Sequence, residues 1–129
     1  MSLGQSVWDD LHERYGADLR VVIRYDPTQF DTYLREDVRD SYTDEELRTI
    51  VDDVIVEQLS LTRKERDLKT GRLHSVVRIY DDAWVVIWPD EIDAKSGFIV
   101  AVQRDGDAGV GCVEAITDYL ESEVAPELT

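Results

Sequence analysis

The stretch Arg72–Pro89, RLHSVVRIYDDAWVVIWP, limits the possible folds more than any other: two apolar runs of strand composition are joined across Asp81-Asp82. In the first run Leu73, Ser75, Val77 and Ile79 alternate with His74, Val76, Arg78 and Tyr80, the period of two that sends neighbours to opposite faces of a strand. In the second, Trp84, Val86 and Trp88 alternate with Ala83, Val85 and Ile87, so both faces are apolar and both need cover. This predicts a hairpin whose second strand lies inside a sheet, not at its edge.

The flanking segments supply the cover. In QSVWDDLHERY, residues 5–15, Val7, Trp8, Leu11 and Tyr15 fall at helical spacing, with Gly16 as a stop. DLRVVIRY, residues 18–25, alternates like a half-buried strand and runs into the turn residues Asp26-Pro27-Thr28. The next segment is open to two readings: Phe30, Thr32 and Leu34 alternate as a returning strand, whereas Phe30, Tyr33, Leu34 and Val38 also suit a short helix. The hairpin is preferred because the turn follows directly on a strand and Thr and Tyr favour extended backbone. Thr43-Asp44-Glu45-Glu46 is a capping box, and Leu47, Ile50, Val51, Val54, Ile55, Gln58 and Leu59 continue it as one helical stripe to about residue 60. Residues 61–71 read as a polar connection and 90–96 as a polar loop. Residues 97–102 read as a further strand, 105–111 as a glycine-rich turn and 110–122 as a last helix, with the ends 1–4 and 124–129 frayed. The predicted fold is α+β: a single domain spanning 1–129, with a mostly antiparallel sheet of about five strands flanked by three helices in the order α-β-β-α-β-β-β-α.

Charge narrows the setting. The chain has 29 acidic residues against 14 basic ones, a net charge of −15. Only Lys64, Lys69 and Lys95 are lysines. Such a charge strains a compact state unless salt shortens the Debye length, which is about 3 Å at molar concentration. The composition is that expected of a halophile, and it disfavours nucleic-acid binding, which draws on clustered positive charge. No apolar run reaches the roughly 18–20 residues of a membrane span. With Cys112 as the one cysteine, no intramolecular disulfide or cysteine metal cage can form, which fits a cytoplasmic location.

The order of elements resembles the roadblock and profilin-like architecture and, more loosely, PAS and GAF sensor domains. In sequence, Arg24-Tyr25-Asp26, Tyr33-Leu34-Arg35 and Tyr42-Thr43-Asp44-Glu45-Glu46 resemble the opening of a family of small acidic haloarchaeal proteins of unknown function. That resemblance implies a halophilic origin and brings no catalytic residues with it.

No chemical motif stands out. Gly106, Gly109 and Gly111 follow a strand and precede a helix, but Asp105 and Asp107 would repel a phosphate there and no P-loop Lys-Ser or Lys-Thr follows. Cys112 has neither His12 nor His74 at a spacing that makes a nucleophile, and it suits a small core position. His74 suits a hydrogen-bonded structural imidazole, and two histidines with one cysteine do not make a zinc site. The Asp pairs lack the spacing of a calcium loop. The expectation is therefore a non-enzymatic interaction or regulatory module without cofactor, metal or catalytic residues, most simply a homodimer. The alternative is a sensor-type pocket for a small ligand lined by Trp84, Trp88, Tyr25 and Tyr80. Arg63, Lys64, Arg66 and Lys69, the one concentration of positive charge, are the candidate contacts for an acidic partner.

Overall fold

Strands β1 (Leu19–Tyr25), β2 (Phe30–Leu34), β3 (Val76–Ile79), β4 (Ala83–Pro89) and β5 (Gly97–Gln103) form one antiparallel sheet in the order β2-β1-β5-β4-β3. The structure, a computed structural model, describes residues 2–91 and 94–128, so part of the loop read at 90–96 lies outside the described residues, as do both terminal positions. Helix α1 (Leu3–Tyr15) precedes the sheet; α2 (Glu36–Arg39), α3 (Asp44–Gln58) and α4 (Leu61–Leu68) separate its two hairpins, and α5 (Cys112–Tyr119) follows it. The predicted α+β fold is the one observed, with five α-helices where three were expected.

The local signals act where the sequence carries them. The Asp26 carboxylate accepts the N–H groups of Thr28 at 2.8 Å and Gln29 at 2.9 Å, closing the β1–β2 turn, and residues 30–34 take the extended alternative. At α3 the Thr43 hydroxyl accepts the Glu46 N–H at 3.1 Å while the Glu46 carboxylate accepts the Thr43 N–H at 2.9 Å, so both halves of the capping box form.

Directly paired residues share a face, and the two faces carry separate cores. One face bears Val22, Trp84, Val86, Trp88, Phe98 and Val100, packed under α1 and α5. The other bears Ile23, Tyr25, Ile87 and Ile99, packed under α2 and α3 through Val38, Leu47, Val51 and Val54. Gly97 marks the closest approach within the sheet: a Cβ there would stand 2.2 Å from the Trp88 carbonyl oxygen and 2.7 Å from the Tyr25 hydroxyl.

Three expectations need correction. Residues 61–68 of the presumed connection form α4, because LTRKERDL is made largely of strong helix formers and buries Leu61; it ends at Lys69 in the left-handed region, φ 54°. Leu59 leaves the buried stripe and is 59% exposed, since α3 stops at Gln58 and the chain turns there. Towards the ends of the described residues, α1 begins at Leu3, Gly4 packs against the Tyr33 ring, and Val124 is 2% exposed. The last helix also ends differently from expectation, widening into a π turn over Leu120–Val124 and tightening to 3₁₀ over Ala125–Leu128.

Candidate functional site

The aromatic residues proposed as pocket liners are not brought together. Trp84 and Trp88 are core side chains beneath α1 and α5, Tyr25 is buried on the opposite face, and Tyr80 is 52% exposed at the β3–β4 turn. The Tyr25 hydroxyl donates to Gln58 Oε1 at 2.7 Å, and burial, followed by the nearby Asp90 charge, pushes its ionisation well above the ordinary tyrosine range. Gln58 in turn donates from Nε2 to the carbonyls of Ala94 and Ser96, which ties α3 to the loop after β4.

Arg63, Lys64, Arg66 and Lys69 are all exposed on or just beyond α4 and form no ion pair among the described residues. Glu65 of the same helix accepts the Leu73 N–H at 2.8 Å, which fastens this basic helix to the segment entering β3.

β3 is the feature that composition alone did not expose. It is an edge strand, and the Tyr80 N–H donates to the Ala83 carbonyl at 2.8 Å. Hydrogen-bonded and non-hydrogen-bonded pairs alternate along an antiparallel ladder, so Val76 and Arg78 turn their backbone groups towards β4 while Val77 and Ile79 turn theirs outward. The side chains of Val77 and Ile79 lie on the α1 and α5 face, opposite Val86 and Trp84, yet they are 39% and 61% exposed. Helix α5 does not cover them. Its Thr117 meets Ser75 at 2.8 Å, ahead of the strand's first residue. Between Arg72 and Tyr80 the chain carries two arginines and a histidine and no acid. On the other face Arg78 pairs with Glu57 of α3. At the opposite edge Tyr33 of β2 packs on Gly4 and its hydroxyl meets Ser2 Oγ at 2.7 Å, so the start of α1 covers that side chain.

Two concavities accompany this edge. A charged cleft of about 690 Å³ lies where the β4–β5 loop, His74 and the C-terminal turns meet. Within it Glu121, on the π turn, accepts from His74 Nδ1 at 2.7 Å, from Trp88 Nε1 at 3.1 Å and from Arg72 at 3.2 Å. Burial raises the Glu121 pKa, but these donors, His74 first, outweigh it and hold the carboxyl below its usual range. Asp90 is likewise taken, by Arg24 at 2.8 Å and Ser96 at 2.8 Å. The Glu121 bonds clamp the C-terminal segment onto β4 through Trp88 and onto the segment entering β3, and His74 is the hydrogen-bonded imidazole its position suggested. The second concavity, about 540 Å³, is an aliphatic groove between α3 and the sheet, reaching from Arg20, Leu34 and Val38 on the side of β1, β2 and α2 to Arg78 and Tyr80 on the side of β3. Cys112 is 3% exposed in the core, and among the described residues no group of three His, Cys, Asp or Glu side chains is placed to hold a metal ion.

No described helix is long and apolar enough to cross a membrane. No curated protein sequence matches this chain. Residues 5–122, from α1 into the π turn, match the model described as a domain of unknown function, DUF7522, and the chain belongs to that family.

Proposed function

We propose that this chain is a non-enzymatic interaction module that works as a homodimer joined along β3. The observation that supports the reading is the unprotected edge. It presents outward backbone groups at Val77 and Ile79 and exposed apolar side chains at the same residues, with no acid from Arg72 to Tyr80 in a chain of charge −15. An edge of this kind is a template for another strand unless charge, proline or a bulge blunts it. Two acidic copies approach each other with least repulsion where acids are missing. In a two-fold arrangement centred on Arg78, Val77 of one copy and Ile79 of the other exchange backbone hydrogen bonds, and each Arg78 keeps Glu57 beside it. The basic helix α4, anchored next to this edge, is the proposed contact for an acidic partner surface. The setting we propose is the cytoplasm of a halophile, on the composition and on the resemblance of the Arg24–Glu46 segments; the element order, similar to roadblock and profilin-like proteins, supports a binding role over a catalytic one.

Sedimentation equilibrium at micromolar protein in molar potassium chloride tests the dimer. The expected mass is twice 14.8 kDa. Ile79→Asp should shift it to the monomer while leaving the circular dichroism spectrum unchanged. A wild-type monomer, or a dimer indifferent to Val77→Asp and Ile79→Asp together, would refute the proposal. Stable interfaces bury about 1,200 Å² or more in total, so flanking surface beside β3 must join the contact.

A further inference from the structure

Two-fold pairing along β3 makes a demand on the residue at its centre. Arg78 turns its backbone groups towards β4, so at the axis it meets Arg78 of the second copy as a non-hydrogen-bonded pair. The Cα atoms of such a pair stand only about 4.5 Å apart, and like charges directly opposite each other weaken strand pairing. The neighbouring matches are favourable: Val77 lies opposite Ile79 of the second copy on one face, and Val76 opposite its Tyr80 on the other. Centring the axis on Val77 would separate the arginines but set Ile79 against Ser75 and Arg78 against Val76; centring it on Ile79 would set Val77 against Asp81. The register that suits the apolar residues is therefore the one that brings two guanidinium groups together.

The carboxylate that meets Arg78 is Glu57, in the last turn of α3. Their side chains are 36% and 30% exposed, so the pair lies partly open beside the edge, within reach of a copy that docks there. Two copies about the axis bring two such pairs side by side, two guanidinium groups and two carboxylates with no net charge. We infer that Glu57 is the residue that permits and registers self-recognition along β3: neutralised by Glu57, the facing arginines tolerate the pairing centred on Arg78, and without it they oppose that pairing. The inference rests on the β3 dimer and adds the one residue outside the strand that the pairing requires. Asp81 and Asp82 border the same groove as Arg78, so replacement of Glu57 by these turn residues is the alternative that the experiment has to separate.

Sedimentation equilibrium of the full chain in molar potassium chloride, with circular dichroism to confirm each fold, tests the role of Glu57. Glu57→Gln should weaken the dimer about fivefold or more, since salt screens a partly buried contact less than an open one. Removing both charges, Glu57→Gln with Arg78→Gln, should restore the dimer to within about twofold of wild type, because no like charges then face each other. Cysteine cross-linking reads the register. Under mild oxidation Arg78→Cys should link two copies, since a Cα separation of about 4.5 Å falls within the disulfide range of about 4.4–6.8 Å. Val77→Cys should not link, because it faces Ile79 of the second copy, and Cys112 is buried out of reach. A dimer that Ile79→Asp dissociates but Glu57→Gln leaves unchanged would overturn this inference and leave the β3 dimer standing. A double variant as weak as Glu57→Gln alone, or a Val77→Cys link in place of the Arg78→Cys one, would do the same. A wild-type monomer would overturn both.

Discussion

Replacing Gln58 by Leu tests the account of how the second core is fixed. Gln58 is 2% exposed, and its amide accepts from the Tyr25 hydroxyl and donates to the loop after β4. Leucine has similar bulk, so the change removes hydrogen bonds and leaves packing nearly intact. The Tyr25 ring is wholly buried, and a hydroxyl left there without a partner costs about 1–3 kcal/mol. The Ala94 and Ser96 carbonyls lie in half-buried residues where water can replace the amide, which adds about 1 kcal/mol. The expected loss is therefore about 2–4 kcal/mol. Tyr25→Phe strands the Gln58 oxygen instead and should cost about 1–3 kcal/mol. The double variant removes both partners, so its loss should fall short of the sum by about 1–2 kcal/mol. Urea unfolding at fixed molar potassium chloride, followed by far-ultraviolet circular dichroism, measures all three, provided the slopes agree. A Gln58→Leu loss below about 0.5 kcal/mol, or simple additivity, would show that the buried amide does not hold α3 to the sheet.

Trp88 is 1% exposed and bonds Glu121 through its indole, so Trp88→Ala should cost at least about 3–5 kcal/mol, and a loss under about 1 kcal/mol would contradict its core position. Lowering potassium chloride from molar to tens of millimolar should abolish the near-ultraviolet circular dichroism signal, because the charge of −15 then goes unscreened; an unchanged spectrum and melting temperature would remove the halophile reading. The Asp26 pKa is lowered, chiefly by the Thr28 N–H, so its contribution is complete above the unfolded aspartate value, about 4, and is lost as pH falls through the depressed folded value. The stability gap between wild type and Asp26→Ala should therefore be constant from neutral pH to about 5 and close in stronger acid; a gap that persists there would contradict the turn geometry.

What the sequence determined by itself is local. Alternation defined the two faces of each strand, Asp26-Pro27-Thr28 placed a turn, and Thr43 with Glu46 started α3, because each signal acts through residues within a few positions of one another. The tertiary structure decided everything that depends on which neighbour a face meets. The period of two in Val76–Ile79 reads the same whether the strand is covered or bare, and only the order β2-β1-β5-β4-β3 makes it an edge with Ile79 in the open. Likewise Trp84, Trp88, Tyr25 and Tyr80 share a composition but divide between two cores and a turn, since strand pairing sets their faces. Glu121 and His74, 47 residues apart, carry no mark in the sequence of the bond that joins them. The groove arises in the same way: the helical stripe of α3 specifies which side faces the sheet, while the angle and offset at which it lies, and hence the groove that Ile50 helps to line, follow from packing against strands far along the chain.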